Sequence, residues 1–202
     1  MRVTTEAIVL GLHKRTDQLS VLQVYTEQEG MLQLHVYGAK GKKNSQAAYM
    51  PLAVVEVTYD LPPNRSIGVI QTIETVYLPE HIYTDVHRQA VAFFIAEMIT
   101  ITLTHPMQDT LMYNYLRQLV SELDHSPKPE NIHLLFLVRM AELLGVGTPP
   151  VAESFIGEQA DALSLNRSQR QEYLHALCDW YRTHIESFRT PKSLDVLIEV
   201  FD

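Results

Sequence analysis

The sequence predicts an α+β protein: an N-terminal five-stranded OB-fold β-barrel, residues 1–79, followed by an α-helical domain, residues 80–202. Three observations carry that reading. The first 80 residues run in short segments rich in β-branched and aromatic residues, separated by turn chemistry. After Pro79 the apolar residues recur at i, i+3, i+4. Five short antiparallel strands leave exposed edges, and a small barrel closes them.

The predicted strands are residues 5–12 (TEAIVLGL), 19–26 (LSVLQVYT), 31–37 (MLQLHVY), 52–59 (LAVVEVTY) and 67–77 (IGVIQTIETVY). Turns are expected at Glu29-Gly30, from Gly38 to Asn44, and at Pro62-Pro63-Asn64. In the third strand Leu32, Leu34 and Val36 alternate with Gln33, His35 and Tyr37, so one set faces the core and the other faces out. The helices are predicted at 86–103, 107–123, 131–144, 168–188 and 193–201. The stripe of the first contains Ala90, Phe93, Phe94, Glu97, Met98 and Ile101; the third ends at Gly145, a natural residue to follow a helix. Residues 146–166, with Gly147, Pro149, Pro150 and Gly157, read as a loop.

With 202 residues, 46% of them apolar, the chain has material for a packed core. No apolar stretch approaches the roughly 18 residues that span a bilayer. The N-terminal MRVTTEAIVL lacks the pattern of a signal peptide, so the expected location is cytoplasmic. The formal charge of −8 is uneven: residues 1–80 carry −1 and residues 81–202 carry −7. Local patches decide nucleic-acid binding, and the acidity belongs to the helical half.

Motifs for catalysis are missing. The chain has no G-x-S-x-G elbow, Walker A loop, G-x-G-x-x-G turn, H-E-x-x-H helix or C-x-x-C pair. The single cysteine, Cys178, falls on the apolar stripe of its helix and reads as a small core hydrophobe. Nine histidines are scattered; His81 and Asp85 would share a helix face at i, i+4, and His184 lies in the fourth helix, but none forms an H-x-H or H-x-x-x-H pair. No catalytic residue, metal site or cofactor is therefore expected.

Basic residues recur at three turns of the barrel. Gly38-Ala39-Lys40-Gly41-Lys42-Lys43-Asn44-Ser45 places three lysines in four residues between two strands. Lys14 and Arg15 lie in the turn after the first strand, and Arg65 in the turn between the fourth and fifth. In an OB fold these turns approach one face, where lysines neutralise phosphates and release counterions. Tyr37 and His35, outward in the third strand, suit base stacking, with Tyr25 a weaker candidate. The DNA-binding set is Lys14, Arg15, Tyr37, Lys40, Lys42, Lys43 and Arg65. A solvated basic turn is the plainer alternative for the loop.

The order of features resembles the RecO family of DNA-repair and recombination mediators. The residues that carry the resemblance are Thr5-Glu6-Ala7-Ile8-Val9-Leu10, Asp17 with Leu19 to Val24, Tyr25-Thr26-Glu27-Gln28-Glu29-Gly30, Val36-Tyr37-Gly38-Ala39-Lys40, Pro51-Leu52, Arg139 to Gly145 (RMAELLG) and Pro191-Lys192-Ser193-Leu194. The resemblance implies binding of single- and double-stranded DNA, annealing of complementary strands, and loading of a recombinase onto strands coated with single-stranded-DNA-binding protein. It implies RecR and the acidic C-terminal tail of that coating protein as partners, with a tail pocket to be sought near Arg139, Arg167, Arg170 or Lys192, and location at the nucleoid. Many members carry a four-cysteine zinc element after the Leu-Leu-Gly helix. Residues 146–166 contain no cysteine, so a shortened loop is expected in its place. Arg15 and Thr16 also depart from the acidic and small residues common before Asp17. A protein-interaction adaptor without direct DNA contact is the alternative from another class. An enzyme site assembled only by folding would need a pocket of convergent titratable groups.

Overall fold

The computed structural model describes residues 2–37, 46–61, 67–104, 107–155, 160 and 162–201. The strands are β1 (Arg2–Lys14), β2 (Leu19–Thr26), β3 (Gly30–Tyr37), β4 (Val54–Asp60) and β5 (Gly68–Tyr77). They close a barrel in the order β1-β2-β3-β5-β4. All pairings are antiparallel except β3 with β5, which is parallel at Leu34↔Gly68 and His35↔Val69. This is the expected OB-type architecture.

Closure depends on β1. Its N-terminal part, Arg2 to Ile8, pairs with β4, and Ala7 to Lys14 pairs with β2. Between Val9 and Gly11 the register shifts by a bulge that leaves Leu10 without an opposite residue. A bulge bends and twists its strand, which lets one strand serve both neighbours. The core holds Ala7, Val9, Leu22, Val24, Leu32, Leu34, Val36, Val55, Val57 and Tyr59. Tyr59 is fully buried, and its hydroxyl donates to Glu29 Oε1 at 3.0 Å, which satisfies its polar end.

The helices are α1 (Val86–Thr102), α2 (Thr110–His125), α3 (Ile132–Leu143), α4 (Arg167–His184) and α5 (Ser193–Val200). The chain divides into two compact units, residues 1–79 with 103–118, and residues 80–102 with 119–202. In the first unit, residues 107–118 lie on the barrel. The Tyr113 hydroxyl donates to Glu6 Oε1 at 2.7 Å, Arg117 Nε lies 3.3 Å from the same oxygen, and the Arg117 guanidinium sits 5.3 Å from the centre of the Tyr77 ring. Gly30 has φ +68° and a side chain there would collide with the Met107 carbonyl, so two constraints demand glycine.

In the second unit Glu97 and Asp124 bind backbone rather than cations. Glu97 accepts from Lys192 N–H at 2.9 Å, Ser193 N–H at 2.8 Å and the Ser193 hydroxyl at 2.6 Å, so it caps α5 from another helix. Asp124 accepts from the N–H groups of Glu80, His81 and Ile82 at 2.8–3.1 Å. Helix α3 ends as expected: Gly145 has φ +69°, its N–H bonds Glu142 O, and the Val146 N–H bonds Ala141 O at 3.2 Å, a Schellman motif. Asn166 and Gln169 form a reciprocal capping box that starts α4. That helix ends at His184, four residues before the predicted end. Ile185 is extended, and Phe188 turns back to lie 5.8 Å from Tyr181.

Burial pushes the Glu97 carboxyl up, but the Ser193 hydroxyl and the Lys192 and Ser193 N–H groups outweigh it and hold it below its usual value. A carboxylate that binds its proton less readily when folded contributes stability above its unfolded pKa and loses it on acidification. The melting-temperature gap between wild type and Glu97→Gln should therefore be widest near neutrality and shrink as pH falls below about 4. A gap constant from pH 7 to pH 3 would show that the cap does not depend on the charge.

Candidate nucleic-acid interface

Strand register assembles the outward face of β1–β3. Gly11 pairs with Gln23 and His13 with Val21; Gln23 pairs with Gln33, Val21 with His35 and Leu19 with Tyr37. Residues directly opposite share a face, so these positions form one strip with no carboxylate among them. His13 Nε2 lies 2.9 Å from Gln23 Oε1. His35 and Tyr37 meet edge to face at 5.9 Å and 77°. Tyr37 is 60% exposed, which is what a stacking platform requires.

The turn after β1 lies at the Tyr37 end of this strip. Arg15 and Thr16 donate their N–H groups to Leu19 O, and Thr16 Oγ1 accepts from the N–H groups of Gln18 and Leu19. Thr16, a departure from the family pattern, thus closes the turn that presents Lys14 and Arg15. Both are exposed. The Lys14 ammonium pairs with Asp17 at 2.7 Å; Arg15 has no ion pair among the described residues. An exposed pair of that kind is worth at most about 1 kcal/mol, so a phosphate can compete for Lys14.

The fold therefore brings together Lys14, Arg15, Tyr37 and His35. Lys40, Lys42, Lys43 and Arg65 lie outside the described residues. Tyr25 is excluded as a stacking residue: it is 2% exposed, and burial with nearby Asp109 pushes its phenol up to about 12. His13, Gln23 and Gln33 belong to the strip although the sequence did not single them out.

The histidine and cysteine readings are decided separately. His81 precedes α1 and its Nδ1 is 3.9 Å from Asp124, whereas Asp85 accepts the N–H of His87 at 2.8 Å at the start of the helix, so the two share no helical face. His184 stacks on Trp180 at 3.8 Å and 23°. Cys178 is buried and its thiol is pushed up to about 12, mainly by burial, which leaves it unreactive. No group of three or more potential metal ligands occurs among the described residues. A four-cysteine zinc element cannot be built from one cysteine.

In the helical unit a small open cleft is lined by His133, Arg167, Arg170, Leu174, Leu197 and Phe201, among others. It brings together two of the four cations considered for a tail pocket. Arg139 is elsewhere, paired with Glu142 at 2.8 Å, and Lys192 begins the turn capped by Glu97. Arg170 Nη1 donates to Leu165 O at 2.8 Å.

A closed five-stranded barrel with an open aromatic strip, followed by helices, defines an OB-fold protein of α+β class. Family models match both parts: Recombination protein O N terminal over residues 1–79 and Recombination protein O C terminal over residues 83–149. This chain belongs to the RecO family. It is 26% identical to a DNA repair protein RecO of Bacteroides fragilis, with 98% of each chain covered. It is 24% identical to those of Flavobacterium johnsoniae and Porphyromonas gingivalis, with 100% of each chain covered. The alignment to the Bacteroides fragilis protein runs over 239 residues against the 202 of this chain, so the relative carries segments absent here.

Proposed function

We propose that this protein is a non-enzymatic mediator of DNA repair and recombination that binds single- and double-stranded DNA, anneals single strands and helps to load a recombinase onto coated strands. The observation that carries this reading is the carboxylate-free strip of His13, His35 and exposed Tyr37 beside Lys14 and Arg15. The names of the relatives support the same role. Bases stack on the strip, the basic turns hold phosphates, and two strands meet without nucleotide hydrolysis. The seven residues Lys14, Arg15, Tyr37, Lys40, Lys42, Lys43 and Arg65 form the proposed DNA-binding set. RecR is the proposed protein partner. The acidic tail of the single-stranded-DNA-binding protein is the proposed occupant of the cleft beside Arg167 and Arg170. The site of action is the nucleoid in the cytoplasm; no helix among the described residues is long and apolar enough to cross a membrane. The shorter length relative to the Bacteroides fragilis protein supports a reduced segment at residues 146–166.

Titration of a single-stranded oligonucleotide at several salt concentrations tests the reading. Neutralising about five phosphates gives a slope of roughly −3.5 in log K against log[salt]. Tyr37→Ala should weaken binding about tenfold through lost stacking and leave the slope unchanged, because no charge is removed. A flat salt dependence together with wild-type affinity in Tyr37→Ala would leave the adaptor as the better reading.

A further inference from the structure

The barrel treats the two nitrogens of His13 differently. This exposed imidazole stands on the outer face of β1 just past the bulge, opposite Val21, which pairs in turn with His35. Its Nε2 lies 2.9 Å from Gln23 Oε1. A carboxamide oxygen only accepts, so Nε2 carries the hydrogen of that bond. In the neutral ring Nδ1 is then the bare nitrogen, and it has no partner among the described residues. Gly11 pairs with Gln23, and a side chain on it would begin 3.4 Å from His13 Nε2 and 3.7 Å from Cε1. The ring thus lies over the bare glycine, where it reaches Gln23.

The anion that an imidazolium would pair with is missing from the strip. Lys14 and Arg15 follow His13 along the chain, and Asp17 is held by the Lys14 ammonium at 2.7 Å. Strand β2 presents Val21 and Gln23, and β3 presents Gln33, His35 and Tyr37. Residues 46–53, which meet β1 through the backbone bonds of Leu52 and Ala53 to Val9, contain no charged residue. Imidazole is the side chain that ordinarily changes charge between about pH 5 and 8. A phosphate oxygen only accepts, as bare Nδ1 does, so the neutral ring gives it no hydrogen bond. One proton on Nδ1 makes it a charge-assisted donor.

We propose that Gln23 positions His13 as a proton-gated phosphate contact, so that a DNA strand bound on this strip takes up a proton at Nδ1. The proposal rests on the DNA-binding reading above and adds to it a dependence on pH. A bound phosphate supplies the missing anion and favours the imidazolium. Linkage fixes the sign: the complex holds more protons than the free protein, so affinity rises as pH falls. Gln23 is a positioning residue here. It reserves the Nε2 hydrogen for itself and leaves the nitrogen that faces no protein partner to take the proton.

The test is fluorescence anisotropy on the full chain with a labelled oligothymidylate, whose bases take up no proton in this range, at about pH 8 and about pH 6 and at several salt concentrations. Wild type should bind about tenfold tighter at the lower pH, the size of one charge-assisted hydrogen bond. Its slope of log K against log[salt] should steepen there by about 0.7, the share of one more phosphate contact. His13→Gln should lose both responses, bind at either pH as wild type does at about pH 8, and melt with wild type. His35→Gln should retain them. Gln23→Leu releases the tautomer, so a neutral ring can donate from Nδ1; its affinity should rise at about pH 8 and its pH response shrink, which the loss of a merely structural contact would not produce. Salt-dependent wild-type binding that is equal at the two pH values overturns the proposal and leaves the DNA-binding reading standing. A pH response that survives His13→Gln, or wild-type behaviour in Gln23→Leu, also overturns it. Failure of wild type to bind the oligonucleotide at either pH removes the DNA-binding reading and this proposal together.

Discussion

Asp124→Ala should lower the melting temperature of the protein by roughly 10 °C, without touching either proposed binding site. The carboxylate is 2% exposed and accepts three backbone N–H groups, from Glu80, His81 and Ile82. Hydrogen bonds to a charged acceptor contribute about 1.5–3 kcal/mol each, and their donors would be stranded by alanine, so a loss of about 3–5 kcal/mol is expected. In a chain of this size that corresponds to several degrees per pair of kcal/mol. The neighbouring clamp does not compensate. Arg88 donates to Leu123 O at 2.5 Å and to Ser126 O at 2.7 Å, so it binds the carbonyl end of α2 while Asp124 binds the segment that precedes α1. Asp124→Asn retains one acceptor oxygen and should fall between wild type and alanine. Thermal melts of the two variants decide the matter; an alanine variant that melts with wild type would show that water replaces the carboxylate at no cost.

Asp124 also shows where the sequence was readable and where it was not. Among the described residues, period and turn chemistry located the five strands and the five α-helices, because each is a local property. Gly145 could be read as a helix end because only a residue tolerant of positive φ closes a Schellman motif. Asp124 and Glu97 were harder, since their partners are 42–44 and 95–96 residues away in sequence. A signal existed for both. An aspartate in the last turn of a helix opposes the macrodipole, and a glutamate in an apolar stripe opposes burial; each departure marks a group held by something distant.

The proposed binding strip was legible only in part. Alternation along β3 put Tyr37 and His35 outside correctly, because that strand is regular. Along β1 the same rule fails: Ala7 and Val9 face the core, so simple parity would send His13 inward. The bulge between Val9 and Gly11 reverses the parity, and Leu12 packs toward the core instead. Nothing local marks that bulge beyond the glycine. Tyr25 was misread for the opposite reason. It does lie on the outward side of β2, but it is 2% exposed, and Asp109, remote in sequence, acts on its phenol.

The largest loss of function is expected from Lys40, Lys42 and Lys43 changed together to alanine. These residues lie three to six positions after Tyr37 in sequence, and they are three of the seven cations in residues 1–80, whose net charge would go from −1 to −4. Each phosphate contact on a single strand contributes about 0.7 to the salt slope, so removing three should flatten it by about 2 and lower affinity roughly a hundredfold at 0.1 M salt. Tyr37→Ala has the contrasting signature, a smaller loss at constant slope, so the two variants separate the charged and stacking contributions. Lys14→Ala should weaken binding less than the average lysine of the triple, since its ammonium must first leave Asp17. The triple variant should melt with wild type, as the barrel core of Leu22, Val24, Leu34, Val57 and Tyr59 includes none of the three. A gel shift at two salt concentrations reads both quantities. Wild-type affinity and slope in the triple variant would reduce residues 38–45 to a solvated turn and shift the burden of phosphate binding to Arg15 and Arg65.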